Sequence, residues 1–476
     1  MTKQLKFVPV DQQYKNWLRT NPIKNYSDDE IKSLDDGIRQ KITEELNITG
    51  EMDIKEFMLL HKYNEVKDFV STQDPNEIEE VRNLIWKPVG RSDFRRIQPE
   101  LILTSDSVDI KKVNFWGDVT HEFCPRDEKL TRHWKILRVL LSSARHDGVM
   151  GRQLRYIVRD KVTKSYLGII CMGSSMMNLS DRNKDVFGGS ITENKESKEH
   201  FKKAFGKGGR SVNMTNGQTI VSTQPFGSNF NGGKLLSLLC ISKQIQDDWK
   251  ERYGDVLVTV ETTSLYGGKD STQYDGMKPY WRNLGKTSGD TPIKPSDELW
   301  ESIQQWVKKR HPTTFFHYKV ETNEKFQPKV RDKKNGLISR TYGLLGIKKN
   351  LNTSSGHERG VFLSKLYVNS DEFLQCKINE DDLIPSFDNS IERLTEFWRF
   401  GFSGDTQDSP VHTEIIKHAI NSKVKHSNKN SPAKKRLNDL VERGSTHIDL
   451  DSGWYEPMSR MTWFAVKEKF LDQISR

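Results

Sequence analysis

Residues Gln218 to Gly289 open with QTIVSTQPFGSNFNGGKLLSLLCISKQIQDDWKERYGDVLVTVETT and end with YWRNLGKTSG. The β-branched run predicts a strand over 219–223. A glycine-bearing turn follows, then an amphipathic helix over 233–252. Val256–Val260 predicts a buried strand over 255–261, and 277–284 reads as a short helix before Gly285. A strand that opens into a helix through a glycine turn aims unpaired backbone N–H groups at its surroundings, and such helix starts bind phosphate. The candidate cofactor-binding residues are therefore Gln224, Gly227, Ser228, Asn229, Gly232, Gly233 and Lys234. An ordinary tight turn is the competing reading.

Outward from this stretch, the spacing predicts a helix over Thr131–Ser143. Leu154–Val158 and Tyr166–Met172 predict strands that meet in a hairpin at Asp160–Lys164. Residues 88–115 read as a turn and an extended connector, and 189–217 as a polar loop. Upstream, Ser27 and Glu30 form a capping box ahead of Ile31, Leu34, Ile38 and Ile42 at helical spacing, and a further helix is expected from Ile54 to Val70. Downstream, Ser296–Arg310 predicts a helix, and Phe315–Val320 and Gly360–Val368 predict strands. The expected organisation is a helical region at 1–90, an α/β core at 115–292 and a mixed α/β region at 293–476. The last region holds a basic segment at 415–438 with seven Lys or Arg and no acid, and ends in an aromatic-rich stretch of helical character.

At 476 residues the chain is long enough for two or three domains. No apolar run approaches the roughly 20 residues needed to cross a bilayer, and the N-terminal residues carry no apolar signal core. Four separated cysteines make neither a CxxC pair nor a disulfide framework. A cytosolic protein is expected. The net charge of +10 favours an anionic partner, with nucleic acid the leading candidate and a merely soluble basic protein the alternative. His121, Glu122, Cys124 and His133 have metal-ligand types at loose spacing, so no metal is expected.

The order helix, hairpin, strand, glycine turn, helix, strand, helix resembles the GNAT acetyltransferase fold. Gln224-Pro-Phe-Gly227-Ser-Asn229 is similar to that family's Q-x-x-G-x-G/A turn, and Tyr280-Trp281-Arg-Asn-Leu284-Gly285 to its Y-x-x-L-G-F element. The resemblance implies a mixed-sheet core that holds acetyl-CoA or a related acyl-CoA by the turn amides. Two departures stand out. Asn229 replaces Gly or Ala, and Trp281 takes the place of the family's general-acid tyrosine. The candidate catalytic residues are Glu261, a strand-end carboxylate suited to general-base work once burial raises its pKa, and Tyr274 and Tyr280, as acids or as platforms for a base. For Glu261 the competing role is capping a tyrosine or backbone groups, and for the two tyrosines it is aromatic packing.

A more specific resemblance is to the DruA family of Druantia anti-phage systems. Leu154-Arg155-Tyr156-Ile157-Val158 matches its first strand, and Leu179-x-x-Arg182 begins its L-x-x-R-D-x-x-I-G element, with Asn183 in place of the aspartate. Asp248-Trp249, Tyr253-Gly254, Glu261-Thr262, Tyr274, Trp281, Leu284-Gly285, Thr287 and Gly289 match the rest. The resemblance covers 150–290 and implies a bacterial or phage-encoded protein of phage–host conflict that works beside other defence-system or phage proteins. At fold level such a protein is similar to the phage Mom protein, which modifies adenine in DNA.

Arg152, Arg155, Arg159 and Arg182 border the hairpin. Strand alternation puts Arg155 and Arg159 on one face, an arrangement suited to phosphates or equally to plain surface solvation. Lys423, Lys425, Lys434, Lys435 and Arg436 lie in the basic segment, which suits a phosphate backbone or a solvated linker. Three functions remain open: a DNA-binding protein that modifies a base at a GNAT-like site, a GNAT-like nucleic-acid-binding module without catalysis, and an ordinary N-acyltransferase on protein or small molecule.

Overall fold

The computed structural model describes residues 9–50, 69, 71–87, 93–113, 119–142, 151–177, 179–189, 195–206, 208–224, 226–264, 272–287, 295–321, 333–347 and 359–400. The chain divides into two compact units, each discontinuous in sequence. The larger comprises Lys55–Ile110, His121–Ser288 and Glu358–Arg476; the smaller comprises Met1–Ile54, Lys111–Thr120 and Gly289–His357.

The strands are β1 (Pro99–Val113), β2 (Val119–Pro125), β3 (Gln153–Asp160), β4 (Tyr166–Ser174), β5 (Met214–Ser222), β6 (Thr259–Ser264), β7 (Arg282–Lys286) and β8 (Gly360–Lys365). They form one eight-stranded sheet in the order β2-β1-β3-β4-β5-β6-β8-β7. The pairs β1/β3, β3/β4, β4/β5, β6/β8 and β7/β8 are antiparallel, and β5/β6 is parallel. The expected connector thus contains β1, which pairs with β3 because Leu101 and Leu103 continue the apolar face of Tyr156 and Val158.

The helices are α1 (Val10–Thr20), α2 (Asp28–Gly50), α3 (Pro75–Asn83), α4 (Glu128–Leu141), α5 (Ser180–Phe187), α6 (Lys195–Phe205), α7 (Phe226–Asn229), α8 (Gly232–Leu239), α9 (Lys243–Tyr253), α10 (Asp297–Arg310), α11 (Pro312–Phe315), α12 (Lys333–Leu344), α13 (Ser370–Leu374) and α14 (Ile391–Phe400). Both faces of the sheet are covered. Helix α4, capped by Asp127 accepting from the Leu130 N–H at 2.9 Å, buries Trp134, Leu137 and Leu141 against Ile157 and Ile169. Each such side chain contributes about 1.5–3 kcal/mol. Helices α8 and α9 bury Leu235, Leu239 and Trp249 against Tyr156, Val158 and Ile170 on the other face. At its far end α5 and α6 close a small core around Phe187, Phe201, Met214 and Leu363.

In the smaller unit the capping box is present: Ser27 N–H donates to Glu30 Oε2 at 2.9 Å and Glu30 N–H to Ser27 Oγ at 3.3 Å. Helix α2 shares its core with α10 and α12 through Ile38, Ile42, Ile303, Trp306, Leu337 and Ile338. Helix α2 therefore packs with part of the expected C-terminal region, whereas α3 belongs to the larger unit, where Ile78 and Val81 join the core under α4.

Several local expectations are corrected. Residues 277–284 hold a turn followed by the start of β7, because Pro279 and Gly285, at φ +133°, oppose a helix and the edge of β8 is available for pairing. Phe315–Val320 is helical: Pro312 starts α11, a π turn follows over 316–320, and Phe315 and Phe316 pack on Tyr14 and Trp17. The long helix divides at Cys240–Ser242 into α8 and α9. Residues 189–217 include α6, because Phe201 and Phe205 at i, i+4 close on Phe187. Most of the helix expected from Ile54 to Val70 lies outside the described residues, as do segment 415–438 and the C-terminal stretch.

Candidate functional site

The parallel strands converge on Glu261. They pair over only three positions, Met214 to Asn216 with Thr259 to Glu261, although both continue beyond. Glu261 is fully buried. Its Oε1 accepts from Ser175 Oγ at 2.9 Å and from the Met176 N–H at 2.8 Å, and its Oε2 accepts from Arg182 Nη1. Arg182, on α5, is equally buried and also donates to Ser175 Oγ at 2.7 Å, Asn183 Oδ1 at 2.8 Å and the Met176 carbonyl. Burial pulls the Arg182 pKa down from its ordinary value, and the adjacent carboxylate opposes that pull. Both carboxylate oxygens of Glu261 thus accept from donors of its own chain. Arg182, expected at a phosphate-binding surface, is instead the counterion of the expected general base.

The other two catalytic candidates lie elsewhere. Cross-strand neighbours share a face of the sheet. Glu261 lies opposite Leu363 in the register, and Thr262 opposite Phe362. Leu363 belongs to the core under α5 and α6, whereas Phe362 stacks on Tyr274 with ring centroids 4.5 Å apart. Glu261 and Tyr274 therefore stand on opposite faces, and no proton passes directly between them. Burial pushes the Tyr274 phenol up to about 12, with its hydroxyl against Thr262, Gln273 and Ser237. Tyr280 packs edge-on to Phe387 and against Phe397, and burial raises its phenol too.

The glycine turn forms where it was expected, followed by the short helix α7 and then α8. Two of its backbone N–H groups and the Lys234 ammonium bond to the chain itself. Gly227 N–H donates to the Thr223 carbonyl at 2.7 Å, Lys234 N–H to the Asn231 carbonyl at 3.0 Å, and Lys234 Nζ to the Asp275 carbonyl. A Cβ at Gly227 would meet Ser222 Oγ at 2.3 Å and Gln224 Nε2 at 2.9 Å; at Gly232 it would meet the Phe226 ring at 2.3 Å, and at Gly233 Gln273 Oε1 at 2.8 Å. Of these, Gly232 is demanded by close packing, because its neighbour is the fully buried ring of Phe226. Phe226 and Phe230 lie in an aromatic cluster with Trp86 and Trp398. Nothing is described of the side chains of Ser228 and Asn229.

The hairpin arginines are also used internally. Arg152 Nη1 donates to Asp255 Oδ2 at 2.6 Å and its guanidinium lies 4.6 Å from the Tyr253 ring centroid. Arg155 stacks over Trp134 at 4.7 Å and donates to Gln153 Oε1 at 2.9 Å. Arg159 Nε donates to Glu100 Oε1 at 2.6 Å. The alternation along β3 is the expected one, but the Arg155 face is the one α4 covers. Lys423, Lys425, Lys434, Lys435 and Arg436 lie outside the described residues.

One polar pair is absent from the candidate site residues. Tyr156 OH donates to Asp248 Oδ2 at 2.9 Å, and burial raises the Asp248 carboxyl above its ordinary range. Nearby Asp106, almost completely buried, accepts from Arg126 Nε at 2.6 Å and lies 2.8 Å from Arg252 Nη2. Only the family resemblance singles out Tyr156 and Asp248; no local pattern joins positions 92 residues apart. Among the described residues no group of three or more His, Cys, Asp or Glu is disposed to hold a metal.

The residues that meet here are those carrying the family resemblance, and a family model for the Druantia protein DruA matches residues 126–376, more than half of the chain. The chain belongs to the DruA family. It is 26% identical over 248 residues to the Druantia protein DruA of Escherichia coli (strain UMEA 4076-1), an alignment covering 49% of this chain and 55% of that protein. The chain thus spans about half the length of that curated DruA relative. No solved structure matches it. Among the described residues no helix is long and apolar enough to cross a membrane.

Proposed function

We propose that this DruA-family chain is a DNA-associated component of anti-phage defence whose core serves as a binding module. The observation that carries this reading is the state of Glu261: buried, ion-paired with Arg182, and across the sheet from Tyr274. A general base needs a lone pair within reach of substrate, and Arg182, Ser175 and Met176 occupy that position. The net charge of +10 supports an anionic partner, and the basic segment at 415–438 supplies cations for a phosphate backbone.

A second reading keeps base modification with acetyl-CoA or a related acyl-CoA. It is favoured by the short β5/β6 pairing, which leaves strand edges beyond Asn216 and Glu261 without a mutual ladder, and by the hairpin, strand and glycine turn on which the GNAT-like reading rests. The turn as it stands does not suit the pyrophosphate of such a cofactor, because Gln273 and Asp275 already lie against Gly233 and Lys234. The separating experiment is DNA binding across a salt series with and without acetyl-CoA, followed by mass spectrometry of the recovered nucleosides. Salt-dependent binding with unmodified nucleosides is expected. A mass shift on one base would establish the second reading, and no binding would overturn both.

A further inference from the structure

Three segments distant in sequence meet at the closed end of the β3/β4 hairpin. Lys161 N–H donates to the Gln98 carbonyl at 2.7 Å, and Gln98 N–H donates to Asp160 Oδ1 at 2.8 Å. These bonds fasten the hairpin turn to the chain that follows a 3-10 turn at Asp93–Arg96. Arg399, near the end of α14, donates from Nη2 to the Ile97 carbonyl. Arg95 and Arg96, Lys161 and Lys164, and Arg399 are thereby brought to one corner of the larger unit.

The charges at this corner are unevenly matched. The two acids within Phe94–Glu100 and Arg159–Lys164 are both engaged. Glu100 accepts from Arg159 Nε at 2.6 Å and from Lys164 Nζ at 3.2 Å. Asp160 is buried and accepts also from Thr163 N–H at 3.0 Å and Thr163 Oγ1 at 2.7 Å. Arg95, Arg96 and Lys161 are exposed, and among the described residues none of the three has a carboxylate partner. Arg399 is half-buried, its Nε is buried without a hydrogen bond, and burial pulls its pKa down. Glu396, one turn earlier on α14, bonds Arg393 at 3.4 Å. A guanidinium so placed gains from an anion drawn alongside it.

A single exposed cation is ordinary surface. Here hydrogen bonds to backbone groups join the three segments, so the fold itself fixes where the cations stand, and the carboxylates beside them are already matched. Cations held in this way position a protein on a phosphate backbone without reading its bases.

We propose that Arg95, Arg96, Lys161 and Arg399 form a phosphate-backbone contact on the core that holds DNA without regard to base sequence. This rests on the DNA-associated reading above and adds to it a surface outside the basic segment at 415–438.

The test is fluorescence anisotropy of the full chain on labelled duplex DNA, from about 50 to about 200 mM sodium chloride. Arg95→Gln, Arg96→Gln and Lys161→Gln together should flatten the log–log salt slope by about 0.9 for each phosphate left without a cation, about 2–3 in all. Binding to two unrelated sequences should weaken alike, while the urea midpoint holds. The control, Lys308→Gln with Lys309→Gln, removes two exposed cations of the smaller unit and should leave the slope unchanged. A wild-type slope in the triple variant overturns the contact and leaves the DNA-associated reading standing. Equal flattening per charge in the control overturns it as well, since that marks an effect of net charge alone. No salt-dependent binding by the wild type overturns both.

Discussion

The role assigned to Glu261 is tested most sharply by Glu261→Gln. The amide keeps the side chain's shape and its acceptor oxygen for Ser175 Oγ, now 2.9 Å away, and for the Met176 N–H. What it removes is the charge facing Arg182, leaving a fully buried guanidinium among neutral partners. Breaking a buried ion pair from one side costs about 3–5 kcal/mol, against about 5–15 kcal/mol of stability for a whole domain. Urea unfolding followed by near-ultraviolet circular dichroism, with the two units fitted as separate transitions, reads this directly. With a slope of about 2–3 kcal/mol per molar urea, the larger unit's midpoint should fall by about 1–2.5 M. The double variant Arg182→Met, Glu261→Leu removes both charges and should recover most of that loss, since apolar replacement of a whole buried pair is often neutral. A midpoint that barely moves in Glu261→Gln, together with the loss of a nucleoside modification seen in the wild type, would refute the structural role and restore Glu261 as a catalytic base.

Other consequences can be measured separately. Burial holds the His133 imidazole below its ordinary value, opposed by Glu80 and Glu77 and reinforced by Lys129 and Arg132. The folded chain therefore takes up this proton less readily than the unfolded one, and stability should fall as pH drops below about 6.5, by up to about 1.4 kcal/mol per pH unit; urea midpoints from pH 7.5 to 5.5 should show that slope, and His133→Gln should abolish it. Ser296 Oγ accepts from the Leu299 N–H at 3.2 Å and donates to Glu45 Oε2 at 2.7 Å, so Ser296→Ala should cost about 1–2 kcal/mol in the smaller unit's transition. Replacing Lys434, Lys435 and Arg436 with alanine should flatten the log–log salt slope of DNA binding by about 0.9 for each phosphate left without a cation; an unchanged slope would remove the basic segment from the interface.

The hairpin, α4, α10 and the capping box of α2 are legible in the sequence because local pattern and burial agree there. Apolar residues recur at the period of the element, and a side chain at each helix start caps a backbone N–H. The misread segments are places where a distant neighbour decides. FFHYKV alternates like a strand, yet Phe315 and Phe316 are held on a helical turn by Tyr14 and Trp17, about 300 residues away in sequence. KESKEHFKKAF is polar overall, and only the fit of Phe201 and Phe205 on Phe187 makes it a helix. The glycine turn is legible as a turn, but its cover is not, since nothing in Gln224–Lys234 announces that Gln273 and Asp275 return to it. Alternation places the arginines of β3 on the correct face, but local sequence does not reveal that α4 covers that face.

The residues that carry the DruA resemblance bear on function through where they meet. Side chains that build an active site converge on one point, since they must reach the same reacting atoms. Here they meet at three separate joints. Tyr156 bonds Asp248, tying β3 to α9; Arg182 bonds Glu261, tying α5 to β6; and Tyr274 and Trp281 lock together, with Trp281 Nε1 donating to the Ser237 carbonyl of α8 at 3.0 Å. The second and third joints lie on opposite faces of the sheet. The first two clasp a strand to a helix, and the third clasps a loop to a helix. If those signature residues are clasps, paired substitution within a joint should preserve folding and DNA binding together, whereas single substitution should lose both in proportion. A residue that loses function while the urea midpoint holds would mark the true site, and the half-buried Asp248, with its carboxyl raised by burial, is the position where that outcome would be most informative.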